Sequence, residues 1–308
     1  MNLLNDQSMG FCVRSALLGI VMGCAAMCAS GAQTPQGASA RVNVIDDQQR
    51  VIGLAAPARR IVSLAPHLTD IVVELGAGAR LVATDPHSDA ATLSPSIARV
   101  AAYPAINPER MLALAPDLIL VWGEGLSAAT LARLEALGLR VFVSRPQTLD
   151  DVASSMERIG ALIGVPAEAG LSAARFRERL QALSARHART PSLPVFVQIW
   201  ETPLITLGLR SVMSDALNRC GARNVFAASD AGSQRVSPEA VLAAAPRLVI
   251  STVNGVSDSR WRQLGLVGEA PRPARFISVV DRALERPSPP VLEAVAKLCA
   301  AIDAAAPR

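Results

Sequence analysis

The stretch INPERMLALAPDLILV (residues 106–121) is followed, 130 positions later in the chain, by VSPEAVLAAAPRLVIS (residues 236–251). The two stretches share the pattern P-E-x-x-L-A-x-A-P-x-L, and most other positions exchange one apolar residue for another. In each copy a short apolar helix is predicted to end at a proline, and a β-branched run typical of a buried parallel strand follows. The chain therefore looks built from two similar halves.

The start of each predicted helix carries the same three signals. They are an N-cap residue, a proline at the first helical position and a glutamate in the first turn: Asn107, Pro108 and Glu109 in the first copy; Ser237, Pro238 and Glu239 in the second. A glutamate there complements the helix dipole, worth about 0.3–1 kcal/mol. Because the copies are equivalent, Glu109 and Glu239 also form two separated anionic contacts suited to a partner with two arginine sockets.

Length and composition favour a globular protein of two domains. The chain has 308 residues, of which 51% are hydrophobic and 18% charged. Its formal charge of +4 comes from scattered arginines without a basic run. Nucleic-acid binding is excluded on this ground, because it needs positive charge concentrated on one face.

Residues 1–40 are predicted to be a signal peptide with a leader of small residues. Arg14 precedes an apolar segment, SALLGIVMGCAAMCA, that is short for a membrane span and is followed by small residues. The alternative is a lipoprotein signal, with VMGC as the cleavage box and a lipid on Cys24. Soluble export is the preferred hypothesis, because Met22 fits that box poorly.

Export leaves an even number of cysteines. Cys12, Cys24 and Cys28 lie in the removable segment, so Cys220 and Cys299 remain in the mature chain. In an oxidising compartment such a pair is a disulfide candidate, and two buried free thiols are the alternative.

Strand and helix patterns alternate along most of the mature chain. They predict an α/β fold with two Rossmann-like lobes, each built on a parallel sheet: residues 41–165 and residues 191–308. Residues 166–190 are predicted to form one long connecting helix, which would hold the lobes rigidly. His187 is predicted to lie on its solvated face.

Two tryptophans, Trp122 and Trp200, follow apolar strand patterns. Ligands bind beyond the carboxyl ends of parallel strands, so both indoles are predicted to face a cleft between the lobes. Trp122 is followed by GEGLSA, which formally matches a dinucleotide fingerprint and suggests an NADP-dependent oxidoreductase as one alternative. A helix start whose free amides face the cleft is preferred, because the motif follows a late strand and an acidic residue for a ribose is missing.

The remaining polar candidates indicate contact with a ligand rather than catalysis. His67, beside Ser63 at the first strand-to-helix turn, and His87 are predicted to line the cleft. The three histidines have no metal-ligand spacing, and no nucleophile, base and orienter come together. The sequence thus predicts no catalytic residue, no metal site and no resident cofactor.

Several motifs together resemble the class III periplasmic substrate-binding proteins, most closely their cobalamin-binding (BtuF-type) branch. They are RIVSLAP, HSDA, NPERMLALAPDLILVWGEG, VFVQIWETPLITLG, DALNRCGARNVF, VSPEAVLAAAP and ERPSPPVLEAVAKLCAAID. The resemblance implies a monomeric, periplasmic protein without enzymatic activity. It would capture a corrinoid between two lobes and deliver it to an ABC permease with its ATPase.

The resemblance also implies roles for individual positions. It gives Glu109 and Glu239 docking on permease arginines, and pairs Cys220 with Cys299. It implies a cleft lined by His87, Tyr103, Trp122, Ile205 and Glu285, to which Trp200 adds an indole. His87, Tyr103, Ile205 and Ser233 stand where the family often has other aromatic residues, so a less aromatic cleft is expected. Haem or a ferric siderophore is the alternative ligand on this scaffold.

Overall fold

The computed structural model describes residues 41–89, 93–101, 105–124, 126–268 and 273–306. The predicted signal peptide, its Cys24 alternative and the predicted cleft residue Tyr103 lie outside these ranges. Within the described ranges, none of the helices combines the length and the hydrophobicity that crossing a membrane requires.

The first half of the described chain contains a five-stranded parallel sheet. The first half as a whole includes the strands β1 (Val42–Ile45), β2 (Val51–Leu54), β3 (Ile61–Ser63), β4 (Leu81–Thr84), β5 (Ala98–Arg99), β6 (Leu118–Trp122) and β7 (Val141–Ser144), and the helices α1 (Pro66–Glu74), α2 (Pro108–Ala113), α3 (Ala128–Ala136) and α4 (Leu149–Leu162). The sheet order is β5-β4-β3-β6-β7, with parallel pairing throughout. Strands β1 and β2 form a separate antiparallel hairpin.

The second half contains a four-stranded parallel sheet. After α5 (Pro166–Arg186) come the strands β8 (Leu193–Gln198), β9 (Ile205–Leu207), β10 (Ala222–Asn224), β11 (Ser233–Arg235), β12 (Leu248–Ser251) and β13 (Arg275–Ser278), and the helices α6 (Val212–Arg219), α7 (Pro238–Ala244), α8 (Ser259–Gln263) and α9 (Val291–Ala305). The sheet order is β10-β8-β12-β13, and β9 pairs with β11 in a small antiparallel ribbon. The prediction of an α/β fold with two parallel sheets is confirmed.

The repeated stretches form equivalent structures. Asn107 Oδ1 accepts a hydrogen bond from the amide of Arg110 at 2.8 Å, and Ser237 Oγ accepts one from the amide of Ala240 at 3.2 Å, so both predicted N-caps are confirmed. The residue before each helix-ending proline, Ala115 or Ala245, has φ 44°. The strands that follow, β6 and β12, lie inside their sheets rather than at an edge.

One hydrophobic cluster runs through both halves of the molecule. It joins one face of the first sheet (Leu118 and Leu120 of β6) to one face of the second (Leu248 and Ile250 of β12), with α4, α5, α6 and α9 between them. The opposite face of each sheet has its own smaller cluster. Because close-packed side chains transmit strain rather than absorb it, this continuous core couples the halves mechanically.

Helix α5 is the long connecting helix, and it packs against α4 from the first half and against α6 and α9 from the second. It ends at Arg186, earlier than the predicted residue 190. The prediction that His187 is solvated is wrong: its side chain is 9% exposed and its Nδ1 lies 2.6 Å from Asp303 Oδ2. The end of α5 packs against α9, and a pattern read from one helix alone does not include that neighbour.

A disulfide joins Cys220 and Cys299, as predicted. Cys220 ends α6 and Cys299 lies in α9, and both residues are fully buried. The bridge therefore fixes two helices of the second half to each other.

Candidate functional site

Two cavities adjoin at the carboxyl ends of the parallel strands. We call one the first-half cavity; it measures about 520 Å³, and its wall includes Ala65, His87 and Ile106. We call the other the interface cavity; it measures about 480 Å³ and is lined from both halves. Trp122 and Glu124 border both cavities, so the two share a wall and lie side by side in one cleft.

The lining of the interface cavity includes residues that come one or two positions after strands. Pro146 follows β7 in the first half, while Ile199 follows β8 and Thr252 follows β12 in the second. The carboxyl ends of both parallel sheets thus open onto one space, which is where open α/β sheets place their ligands.

Trp122 is the large apolar surface of this cleft. It ends β6, its side chain is 45% exposed, and its indole meets the imidazole of His67 edge to face, with centroids 6.0 Å apart. Trp122 is held in place by the backbone of the strand end, while its indole projects into open space. The sequence signal, a tryptophan at the end of an apolar run, predicts this placement.

His67 lies behind Trp122 rather than on the cleft surface. Its side chain is 4% exposed, and Nε2 has no hydrogen-bond partner among the described residues. Burial disfavours the charged imidazolium, and the positive Arg286 adds to this, so the pKa of His67 falls from 6.5 to about 4. The ring is therefore neutral at pH 7 and supports the indole.

Ser63 also lies below the cleft surface, because it is fully buried. Its hydroxyl accepts a hydrogen bond from Thr69 Oγ1 at 2.9 Å, and Thr69 Oγ1 in turn accepts one from Ser88 Oγ at 2.9 Å. Ser88 Oγ also bonds to the Asp85 carboxylate. This chain of polar groups ties α1 to the loop after β4, and it holds that loop in place.

His87 stands exposed on the same loop and lines the first-half cavity. Its amide donates to Asp85 Oδ1 at 2.7 Å, and its carbonyl oxygen accepts from Arg286 Nη2 at 3.3 Å. Arg286 belongs to the second half, so this bond connects the two walls.

A second contact between the halves lies beside it. Ser288 Oγ donates to Asp70 Oδ2 at 2.9 Å. Burial raises the pKa of Asp70, while this hydrogen bond and Arg286 act in the opposite direction. Together with the continuous core, these bonds connect the two walls of the cleft.

Of the second-half residues that the sequence predicts to line the cleft, some line a cavity in the structure and others do not. Glu285 and Ser233 line the interface cavity. Trp200 and Ile205 lie to one side: they face each other in an isolated antiparallel bridge, and Trp200 is 56% exposed with its Nε1 donating to Thr202 O at 3.1 Å. The structure thus brings together His87, Trp122, Glu285 and Ser233, with Ser63 and His67 behind them.

Sequence reasoning missed the role of Glu124 as a wall of both cavities. The residue is exposed, and it belongs to the GEGLSA motif after β6. A Cβ added to Gly232, in the second half, would lie 3.7 Å from Glu124 Oε1. The carboxylate therefore reaches across the cleft, and only the fold could show that Gly232 is its neighbour.

The rest of that motif begins a helix. Ser127 Oγ accepts from the amide of Thr130 at 3.1 Å, so Ser127 is the N-cap of α3, and it lines the first-half cavity. Gly125 lies outside the described residues. Among the described residues, no group of three or more His, Cys, Asp or Glu side chains is placed to hold a metal ion.

Glu109 and Glu239 are both exposed at the starts of α2 and α7. Glu109 Oε1 lies 2.9 Å from Arg133 Nη2, an ion pair in which both side chains are more than half exposed. Glu239 has no ion pair with a described residue. Its own backbone amide at the helix start, with the Ser237 hydroxyl, lowers the pKa of its carboxyl.

The chain matches the model of a known family and resembles solved proteins of similar architecture. Residues 61–263 match the family described as periplasmic binding protein. A vitamin B12-binding protein of Vibrio cholerae is 35% identical over 245 residues, which cover 79% of this chain and 88% of that protein.

Two solved structures share the fold over most of their length. The periplasmic vitamin B12-binding protein BtuF of Vibrio cholerae superposes with a TM-score of 0.70 at 33% identity, covering 81% of this chain and 98% of that one. A periplasmic haem-binding protein of Pseudomonas aeruginosa gives 0.65 at 26% identity, covering 81% and 94%. The match of the family model over most of the chain, together with the two-sheet fold and its shared cleft, shows that the chain belongs to the periplasmic binding protein family.

Proposed function

We propose that this protein captures cobalamin, or a closely related corrinoid, in the cleft between its halves and delivers it to an ABC importer. The single observation that carries this proposal is the cleft that both sheets open onto, with Trp122 between its two cavities. Its relatives of known ligand include vitamin B12-binding proteins that align over most of the chain.

The shape and lining of the cleft suit a large, flat ligand. Cavities of about 520 and 480 Å³ that share a wall provide room for a ring and its side chains. Trp122 supplies an apolar face, to which a corrin ring can be applied with little loss of side-chain freedom. The proposed contacts are His87, Trp122 and Glu285, which line the cavities, together with Tyr103, and Ser63 and His67 act as supports. Trp200 and Ile205 lie outside the lining of both cavities, so they are not proposed as contacts.

Delivery follows from rigidity and charge. The continuous core and the bonds from Arg286 and Ser288 to the first half leave little room for closure around the ligand. The loaded protein therefore presents nearly the same surface as the empty one. Glu109 and Glu239 dock it, as a monomer, on arginines of the permease, whose ATP-driven change opens the cleft.

Residues 1–40 serve export in this proposal, as a cleaved signal peptide that leaves a soluble periplasmic protein. A lipid-bearing Cys24 is the alternative. The intact mass of the mature protein distinguishes them, because diacyl modification of Cys24 adds the mass of the lipid, whereas cleavage beyond Cys24 removes that residue altogether.

Haem is the second candidate ligand, favoured by one observation. His87 is exposed in the first-half cavity, where an imidazole can reach a ligand's iron. A ferric siderophore fits less well, since anionic chelates require free arginines. Among the described residues lining the two cavities, Arg210 is the one arginine, and Asp230 already binds it.

The test is retention of a chromophore. Purified mature protein is mixed with cobalamin or haemin, passed through a desalting column, and its visible spectrum is recorded. The proposal predicts that one equivalent of the red corrinoid elutes with the protein. Elution of the corrinoid with the buffer, while haemin remains bound with a shifted Soret band, would replace cobalamin by haem.

A further inference from the structure

The described residues that line the cleft carry more negative than positive charge. Glu124 from the first half and Glu285 from the second both line the interface cavity. Among the described residues, neither carboxylate has an ion pair or a hydrogen-bond donor. The cation on the same wall, Arg210, is held by Asp230 through two contacts, of which Nε to Oδ1 is 2.6 Å.

Of the two carboxylates, Glu124 is better placed than Glu285 to affect ligand binding. It borders both cavities, and its Oε1 approaches Gly232 on the facing wall. Any ligand that extends from one cavity into the other must pass this carboxylate. Gly232 is a close neighbour of this carboxylate, because a Cβ at position 232 would be in ordinary van der Waals contact with Glu124 Oε1 at 3.7 Å.

The neighbouring charges do not cancel this effect. In the first-half cavity the lining adds Asp85, which is buried and bonded to Ser88 and to the amide of His87, and the described lining residues there include no lysine or arginine. Arg286 stands next to Glu285 in the chain, but it donates to the carbonyl oxygen of His87. A ligand in the cleft thus meets free carboxylates and a bound guanidinium.

We infer that Glu124 is a specificity-determining residue that selects ligands whose side chains end in neutral amides and rejects ligands whose side chains end in carboxylates. An amide N–H donates a hydrogen bond to a carboxylate, whereas a second carboxylate is repelled by it. A corrinoid such as cobalamin is fringed with carboxamides, and haem carries two propionates. The inference rests on the proposed function for the identity of the ligand. The discrimination between amide and carboxylate side chains is a property of the cleft wall that carries Glu124.

The experiment measures the dissociation constants of cobalamin and haemin for the wild type and for Glu124→Gln, at about 50 mM and 500 mM salt. Glu124→Gln removes the charge and keeps the size. We expect haemin binding to tighten on the order of three- to tenfold at low salt, since about that much is expected from one screened charge near another. Cobalamin binding should change by less than about threefold, because the glutamine oxygen still accepts a hydrogen bond.

Two variants separate charge from structure. Glu124→Asp keeps the charge and should keep the wild-type preference, while Glu178→Gln removes an exposed charge from α5, away from the cleft, and should change neither constant. The gain in haemin affinity should shrink at high salt. A structural effect of the substitution would be insensitive to salt.

A cobalamin whose side-chain amide has been hydrolysed to a carboxylate provides a matched ligand. The wild type should bind at least one such monocarboxylate less tightly than cobalamin, and Glu124→Gln should narrow that difference. If cobalamin binds but haemin is not tightened in Glu124→Gln, this inference fails and the proposed function stands. If the wild type does not bind cobalamin, the proposed function fails, and the haemin constants alone decide the inference.

Discussion

The two copies of the repeated unit fold alike from the helix cap into the strand and differ at the position that comes just after each repeated stretch. Met111 and Val241, 130 positions apart, are both fully buried, and each anchors its helix in a cluster on the outer face of its sheet. One residue past the two repeated stretches, Trp122 is 45% exposed in the cleft, whereas its counterpart Thr252 is 8% exposed. The duplicated residues mainly build the scaffold, and Trp122, just beyond them, supplies the large apolar surface of the cleft.

The two halves are also secured by different means. The second half has a disulfide between α6 and α9. The first half has a buried, neutral imidazole, that of His67 in α1, which packs against Trp122. A reductant should therefore weaken the second half, and acid the first.

The largest expected effect is on stability when the disulfide is removed. The bridge closes a loop of 79 residues, for which the chain-entropy estimate gives about 4.5 kcal/mol at 25 °C. We expect Cys220→Ala with Cys299→Ala to lower the free energy of unfolding by about 3–5 kcal/mol, measured by urea titration. Ligand affinity at low temperature should be unchanged, because both cysteines are buried away from the cleft. A loss below about 1 kcal/mol would show that the helices hold without the bridge.

The second effect is a dependence of stability on pH through His67. The pKa of His67 is lowered from 6.5 to about 4 in the folded protein. Between these two pH values the imidazole is protonated in the unfolded chain and neutral in the folded one. The stabilisation is full above pH 6.5 and is lost as the pH falls toward 4; between pH 7 and 4.5 the loss is roughly 2.5 kcal/mol. Urea titrations at both pH values should show that His67→Leu removes about this much of the acid sensitivity. His87→Gln, which removes an exposed imidazole, should leave the acid sensitivity as it is, and equal acid sensitivity in His67→Leu and wild type would contradict the assignment.

The third effect concerns Trp122 and Thr252, the equivalent positions just past the two repeated stretches. Trp122→Ala removes the apolar face between the cavities and should weaken cobalamin binding by roughly 2 kcal/mol, about 30-fold in Kd, measured by calorimetry. Thr252→Ala, at the equivalent position, should change it by less than about 0.5 kcal/mol. Equal losses of affinity would mean that positions 122 and 252 contribute equally to ligand binding, which would contradict the assignment of the main apolar contact to Trp122.

The smallest effect concerns the two exposed glutamates. Glu109 must give up Arg133 before it pairs with a partner, and an exposed pair of this kind is worth about 0.2–1 kcal/mol. Arg133→Ala should therefore strengthen docking on the permease about two- to fivefold, measured with permease in nanodiscs at low salt. Arg262→Ala is the matched control, because Arg262 pairs with Asp258 and not with Glu239. Weaker docking in Arg133→Ala would show that Arg133 itself contacts the permease.

Local signals in the sequence predicted much of the fold. The caps at Asn107 and Ser237, and the strands after Pro116 and Pro246, depend on residues within a few positions of each other, so a short pattern is enough to specify them. The placement of Trp122 needed one further rule, that parallel sheets bind ligands at their carboxyl ends.

What could not be predicted depends on neighbours distant in the chain. His187 was expected to face solvent, and the packing of Asp303 against it appears only once α9 is in place. Glu124 was noticed as part of a glycine motif, but its role at the cleft follows from its approach to Gly232. The bond from Arg286 to His87 likewise joins residues whose proximity no local pattern encodes.

The most direct test of the central claim is a crystal structure of the protein with bound cobalamin, using the anomalous signal of cobalt to locate the ligand. We expect one cobalt peak in the cleft where the first-half and interface cavities meet, with the corrin ring in contact with Trp122. A cobalt peak elsewhere on the protein, with the cleft empty of ligand, would contradict this placement.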